Sequence, residues 1–424
     1  MKSKLKNLLP KEEFSKNVLT LITGTAVAQA LPIAISPILT RLYTPEEFGI
    51  FSIFFAIIAI FGVVANGRYE LAVMLPEKEE DAINILALGF IINSLLSLVL
   101  LILIILFQNF FVEKIGVPEI KNWLYLVPFT VFFVGGFNML SYFNTRYKRY
   151  KDIAKATAIK SFVMAVIQLS LGFLKVGVGG LISGHVFSQL FANVKLSKNI
   201  FFNPFLVDSI TKIKVKEMGI KYQRFPKYSL GAIFANTVSQ HYGSILISSF
   251  YSVSTLGFYS LSQRVLGIPS AFIGKSVSQV YFEEAVREKK IRGNAFRAFR
   301  STVKKNFIIG ICFFFPFYFI VEELFLWVFG VDWIEAGGYT KILIPFFFIR
   351  FVVAPVTVTN SVFEKQDLSL YWQLGFMISV LTTIFLSNSY GLSVKEMLQF
   401  LSSVSSGLYI ILFIILYRVS KCKL

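Results

Sequence analysis

Runs of about twenty apolar residues recur from one end of this chain to the other, and that recurrence leaves few folds open. A helix needs about 20 such residues to cross the hydrocarbon of a bilayer. The runs lie near Val18–Leu39, Phe48–Asn66, Ala82–Phe107, Trp123–Phe143, Ile153–Leu174, Val178–Leu196, Tyr228–Phe250, Leu256–Phe282, Phe307–Phe329, Ile342–Phe363, Leu370–Ser387 and Met397–Tyr417. Of the 424 residues 55% are hydrophobic and only 16% charged, and the mean hydropathy is +0.67. A soluble domain cannot hide that much apolar surface, and no alternating pattern of the outer-membrane barrel type is visible. The expected fold class is an all-α integral membrane protein of about twelve transmembrane helices. The first run is too long for a signal peptide, contains Pro32 and Pro37, and lacks a small-residue cleavage site.

Charge sets the expected orientation. Lys and Arg concentrate in the N-terminal segment (Lys2 to Lys16), in Arg146–Lys155, in Lys195–Lys227, in Arg287–Lys305 and in the C-terminal tail. Arg41, Lys114, Lys121, Lys175, Lys341 and Lys395 fall on the other side. By the positive-inside rule both termini are cytoplasmic. The net charge of +18 then reflects topology and contact with anionic membrane lipids, and nothing points to nucleic acid. Trp123, Trp327 and Trp333 are expected at the outer interface and Trp372 at the inner one. No loop is long enough for a soluble catalytic domain.

One hairpin stands out. In Ile35–Ala56 an apolar segment ends at Thr40-Arg41-Leu42-Tyr43 and another begins after Thr44-Pro45-Glu46-Glu47. Thr44 suits an N-cap, Pro45 the first helical position, and the two glutamates the positive end of the helix dipole. The chain also repeats. Phe14–Gln29 and Phe225–Gln240 are identical at six of sixteen positions, and Gly49 matches Gly257 further on. Six spans per half make two six-helix bundles related as a parallel repeat around a central cavity. The expected domains are residues 1–197, a basic cytoplasmic linker 198–225, and residues 226–424.

Four cations fall well inside the spans: Lys160, Arg264, Lys275 and Arg350. Glu322, Glu323 and Glu364 lie only near span ends, so these cations lack obvious carboxylate partners. They either line a water-filled cavity or snorkel and cap carbonyls. On a continuous α-helix Arg264 and Lys275 fall about 20° apart, on one face. Arg350, Thr357 and Ser361 likewise share a face, and Pro345 and Pro355 are expected to interrupt that helix. Gln29 and Gln240 occupy equivalent places, with Asn236 one turn from Gln240. These amides either meet sugar hydroxyls or bind helix to helix. His241 is either proton-linked or a local hydrogen-bond partner. Arg41 is a gate candidate. Arg68 and Glu70 form either a local ion pair or a gate. The glycines of KVGVGG (Lys175–Gly180) mark a turn and not a phosphate loop. The two cysteines and two histidines offer no metal site and no cofactor is implied. Coupling to H+ or Na+ is left open.

TRLYTPEEFGIFSIF (Thr40–Phe54), followed by GRYELAVMLPEKEEDA (Gly67–Ala82), resembles the polysaccharide biosynthesis proteins of the Wzx type. These are lipid-linked oligosaccharide flippases of the multidrug/oligosaccharidyl-lipid/polysaccharide exporter superfamily. The resemblance implies two six-helix bundles around a V-shaped cavity in the bacterial cytoplasmic membrane. It implies a non-enzymatic transporter whose substrate is an oligosaccharide on undecaprenyl diphosphate, and a polysaccharide polymerase and chain-length regulator as working partners. The peptidoglycan-precursor flippase MurJ is similar but typically has extra C-terminal spans. The intramembrane cations agree with a diphosphate headgroup. Two rival readings stand beside this one. A drug/cation antiporter would call for mid-span carboxylates. A membrane polymerase or glycosyltransferase would call for larger external loops.

Overall fold

The computed structural model describes residues 28–201 and 204–421. The N-terminal lysines, Phe14–Val27 of the repeat, residues 18–27 of the first expected span and Cys422 lie outside the described residues. The described residues are helical and contain no strand. After a helical stretch at 28–34 come α1 (Ser36–Leu42), α2 (Pro45–Gly62), α3 (Tyr69–Ala72), α4 (Glu79–Ile115), α5 (Val127–Arg146), α6 (Tyr150–Phe173) and α7 (Val178–Phe201). These are followed by α8 (Lys212–Lys221), α9 (Leu230–Phe250), α10 (Val253–Pro269), α11 (Lys275–Arg292), α12 (Phe296–Phe329), α13 (Ile334–Val353), α14 (Gln366–Ser389) and α15 (Val394–Lys421). Among the described residues eight helical segments are long and apolar enough to cross a membrane. The chain is therefore a multi-pass membrane protein. The expected spans at Val178–Leu196 and Tyr228–Phe250 are helical but more polar, because they carry His185, Gln189 and Asn193, and Asn236 and Gln240. The expected span Leu256–Phe282 is not one helix. A π-helical turn at Ser270–Gly274 separates α10 from α11.

The chain forms two compact units. Among the described residues one comprises 28–43, 53–201 and 204–237, the other 44–52 and 238–421. In the first, α5 is tied to its neighbours by amides. Asn66 Nδ2 donates to the Gly135 carbonyl at 2.8 Å, Asn93 Nδ2 to Phe132 at 2.8 Å and Asn193 Nδ2 to Phe133 at 2.7 Å. Such interhelical bonds contribute about 0.6–2 kcal/mol each in hydrocarbon. Tyr43 closes the hairpin from below: its hydroxyl donates to the Gln168 carbonyl at 2.6 Å. Its ring lies against Gly172 and Gly180, where any Cβ would displace it.

The hairpin itself is capped as its residues dictate. Thr44 Oγ1 accepts from Glu47 N at 3.2 Å and Glu47 Oε2 accepts from Thr44 N at 2.8 Å, a reciprocal capping box. In the second unit Ser252 repeats the device, accepting from Thr255 N at 3.0 Å. Tyr43–Ser52 (YTPEEFGIFS) and Tyr251–Ser260 (YSVSTLGFYS) are thus built alike, with Tyr, Gly and Ser at matching places. The two helix starts cross at their glycines. A Cβ on Gly49 would overlap the Val253 carbonyl, and one on Gly257 would overlap the Pro45 carbonyl. Beside this crossing Trp333 is fully buried, its ring 4.9 Å from Phe48 and 5.9 Å from Phe258. Trp333 is therefore not the interfacial ring the sequence suggested. Trp327 is 82% exposed.

Between α2 and α3 the chain turns through two left-handed residues, Gly67 (φ 58°) and Arg68 (φ 66°). Arg68 Nη1 pairs with Glu70 at 2.9 Å, and its Nε donates to Ser229 Oγ at 3.3 Å. Glu70 is the one buried acidic residue among those described, 4% exposed. Burial pushes its carboxyl above the ordinary range, and Arg68 pulls it back.

Two outcomes follow from this packing. Gly49→Ala or Gly257→Ala forces the crossing apart and lowers stability by roughly 1–3 kcal/mol, read as a fall in Tm. Gly375→Ala, which meets open space, is the control and leaves Tm unchanged or raised. Arg68→Met leaves Glu70 buried without its counter-charge and costs roughly 3 kcal/mol near neutral pH. With the folded-state pKa of Glu70 above its unfolded value, the native state binds the proton more readily. The variant therefore regains stability as pH falls through that raised pKa, and a Tm-versus-pH series reads the recovery.

Candidate functional site

In the second unit the cation most clearly set apart is Arg350, on α13. Among the described residues no carboxylate lies within ion-pair distance of it. Its guanidinium instead sits over the Phe347 ring at 5.7 Å. It lies close enough to Tyr259 and Tyr409 for its charge to act on both phenols. Gln263 Nε2 donates to the Tyr259 hydroxyl at 2.6 Å. The Trp372 and Phe376 rings stack at 5.2 Å, and the Trp372 edge meets Tyr409 at 5.0 Å. Aromatic faces attract a cation through their quadrupole without neutralising it. Among the described residues, the guanidinium donors of Arg350 are thus not taken up by a carboxylate. Arg264 is half-buried on α10, one residue beyond Gln263.

Two expected alignments do not hold, both because a helix changes its winding. The π-helical turn at Ser270–Gly274 lies between Arg264 and Lys275. A π turn takes more residues than an α turn, so spacing counted on a continuous α-helix fails there. Lys275 opens α11; its side chain lies outside what the structure describes. Pro345 sits within α13 without breaking it. Pro355 does end the helix: a 3-10 turn spans Ala354–Val356, and a short helix follows at Thr359–Val362. Arg350 therefore does not share one continuous helical face with Thr357 and Ser361. Thr357 Oγ1 donates to Ala354 O at 2.8 Å, and Ser361 is exposed.

In the first unit Lys160 is half-buried on α6, its ammonium 5.1 Å from the Phe137 ring. His185 on α7 is 6% exposed, with its ring edge-on to Phe55 at 5.6 Å, and near enough to Lys160 for their charges to interact. Gln29 is exposed. Asn236 and His241 are half-buried on α9, and Gln240 is exposed there. Arg41 is exposed at the end of α1 and donates to the Pro37 carbonyl at 3.4 Å. Arg68 is held by Glu70 and Ser229, away from these groups.

Sequence reasoning passed over the aromatic surroundings of Arg350. Tyr259 and Tyr409, on which its charge acts, come from two other helices, and no spacing in the chain relates them. It also passed over His185 as a neighbour of Lys160. One signal was available: Tyr259 and Gln263 are one turn apart and lie just before Arg264 in the same helix.

A sequence model of the family described as "Polysaccharide biosynthesis protein" matches residues 38–337. The succinoglycan biosynthesis transport protein ExoT of Rhizobium meliloti (strain 1021) is 21% identical over 300 residues, 71% of this chain and 59% of that protein. This chain thus matches under two thirds of that relative's length. Among solved structures, an inward-facing multidrug resistance MATE family transporter of the MOP superfamily superposes with a TM-score of 0.73. It is 13% identical, covering 92% of this chain and 94% of that one. The lipid II flippase MurJ, in an inward closed conformation, superposes with a TM-score of 0.71 at 13% identity, covering 95% and 90%. Those likenesses are of fold, that of the multidrug/oligosaccharidyl-lipid/polysaccharide exporters. With its family model matched across most of its length, the chain belongs to the polysaccharide biosynthesis protein family.

Proposed function

We propose that this protein is a flippase for an oligosaccharide repeat unit carried on undecaprenyl diphosphate. It takes the headgroup from the cytoplasmic to the periplasmic leaflet of the bacterial cytoplasmic membrane for surface polysaccharide assembly. The observation that carries this reading is Arg350, a guanidinium within an apolar span, over the Phe347 ring and, among the described residues, with no carboxylate within ion-pair distance. A charge in such a place is costly unless it meets water or an anion. The guanidinium fork matches a phosphate in two parallel hydrogen bonds. Arg264, Lys275 and Lys160 are proposed to serve the same headgroup along its path. Gln29, Asn236, Gln240, Thr357 and Ser361 are proposed to offer hydrogen bonds to its sugars. Alternating access moves the headgroup while the lipid tail stays in the bilayer. The names of the relatives support the class: one is a biosynthesis transport protein and one a lipid II flippase.

A drug/cation antiporter fits less well. Cationic substrates call for buried carboxylates, and Glu70, the one buried acid among the described residues, is already paired with Arg68. A polymerase or glycosyltransferase partner, rather than this chain, would then join the sugars.

Arg264→Ala combined with Arg350→Ala is expected to abolish surface polysaccharide while leaving the amount of membrane-inserted protein unchanged. Two lost charge-assisted interactions of about 1.5–3 kcal/mol each are enough for a loss of roughly a hundredfold or more. Normal polymer in the double variant would remove the reading. Reporter fusions at Lys212 and after Arg418 are expected to read cytoplasmic, and one at Glu113 periplasmic. The opposite pattern would overturn the orientation.

A further inference from the structure

The first unit holds a groove with almost no polar lining, about 410 Å3 in volume, among α4, α5 and α7. Leu86, Phe90, Phe133 and Val194 wall it, and Val207 and Ile210 close one end. Val194 is 60% exposed at its margin. Just past Ile210 lies α8, fixed firmly to α4. Thr211 caps it, accepting from Lys214 N at 3.3 Å. Asn84 on α4 bonds both sides of the turn, donating to Ser209 O at 2.9 Å and accepting from Thr211 N at 3.0 Å. Glu80 pairs with Lys214, and the Tyr69 hydroxyl donates to Gly219 O at 2.8 Å. Although α8 is so held, Ile213 is 82% and Ile220 58% exposed. Seven residues apart, they share a face, and Lys212, Lys214, Lys216 and Lys221 interleave with them. A helix with outward isoleucines among lysines belongs in the headgroup layer.

We propose that the groove and α8 together bind one anionic glycerophospholipid, an acyl chain lying in the groove and its phosphate meeting Lys212 and Lys216. An apolar groove stays dry and gains by taking hydrocarbon. Its volume holds roughly fourteen methylenes at about 30 Å3 each, the share of one water in the liquid. That is the scale of a membrane acyl chain, whereas a branched polyprenyl tail is far longer than the groove can contain. The lysines select an anionic headgroup over a zwitterionic one. None of the cations assigned to the transported headgroup lines the groove, so the lipid site is tested independently of them.

The test uses the purified full chain, delipidated in detergent and offered phosphatidylglycerol, phosphatidylcholine or undecaprenyl phosphate, with bound lipid read by native mass spectrometry. The wild type is expected to retain phosphatidylglycerol in preference to the other two. Ala87→Phe and Val194→Trp, which fill the groove from two helices, are expected to lose it. At least one of them should match the wild-type Tm without lipid, so that loss of binding is not loss of fold. Lys212→Glu with Lys216→Glu should weaken phosphatidylglycerol binding by about fivefold per lysine and leave phosphatidylcholine unaffected. The proposal is overturned by equal retention of phosphatidylcholine, by unchanged phosphatidylglycerol in the folded groove variants, or by undecaprenyl phosphate displacing phosphatidylglycerol at equal concentration.

Discussion

Inside a bilayer no water is at hand, so each polar side chain must find its partner within the protein. The structure depends on that constraint throughout. Asn66, Asn93 and Asn193 each give an amide hydrogen to a carbonyl of α5. Tyr43 gives its hydroxyl hydrogen to α6, Ser262 donates to Ala336 O and Ser402 to Ile342 O. These bonds join helices whose apolar faces have no reason to prefer one another over lipid. Packing then follows from where small residues let the helices come close. Gly172 and Gly180 admit the Tyr43 ring, and Gly49 and Gly257 admit each other's helix backbones.

Against that background Arg350 is an exception that has to be accounted for. The Phe347 ring lies under its guanidinium, and among the described residues no carboxylate takes up its hydrogen-bonding fork. Structural ion pairs elsewhere in the chain do the opposite. Arg68 and Glu70 close on each other at 2.9 Å, and Lys195 and Asp152 at 3.0 Å. Among the described residues Arg350 has no such partner.

The two hairpin starts show how a repeat can hide in a chain. Thr44 and Ser252 do the same capping work with different side chains, and Glu47 is replaced by Thr255. What survives visibly is Tyr, Gly and Ser, because the tyrosine packs, the glycine must be bare and the serine returns a bond to its own helix. Sequence comparison sees only three letters, whereas the backbone shows a full turn-and-cap copied.

Membrane residence, the helical class and the capped hairpin at Thr44 were all readable from the amino-acid order, because each depends on local composition or on residues within one turn. So was the pairing of Arg68 with Glu70, two residues apart. The winding of the helices was not. The π-helical turn at Ser270–Gly274 and the 3-10 turn at Ala354–Val356 shift every residue beyond them, so Lys275, Thr357 and Ser361 lost the register a straight helix would have given them. Nor could the order of residues bring Tyr259 and Tyr409 near Arg350, or bury Trp333 between Phe48 and Phe258. Those arrangements join side chains from distant helices, and only packing in three dimensions, where each must fill space left by the others, selects them.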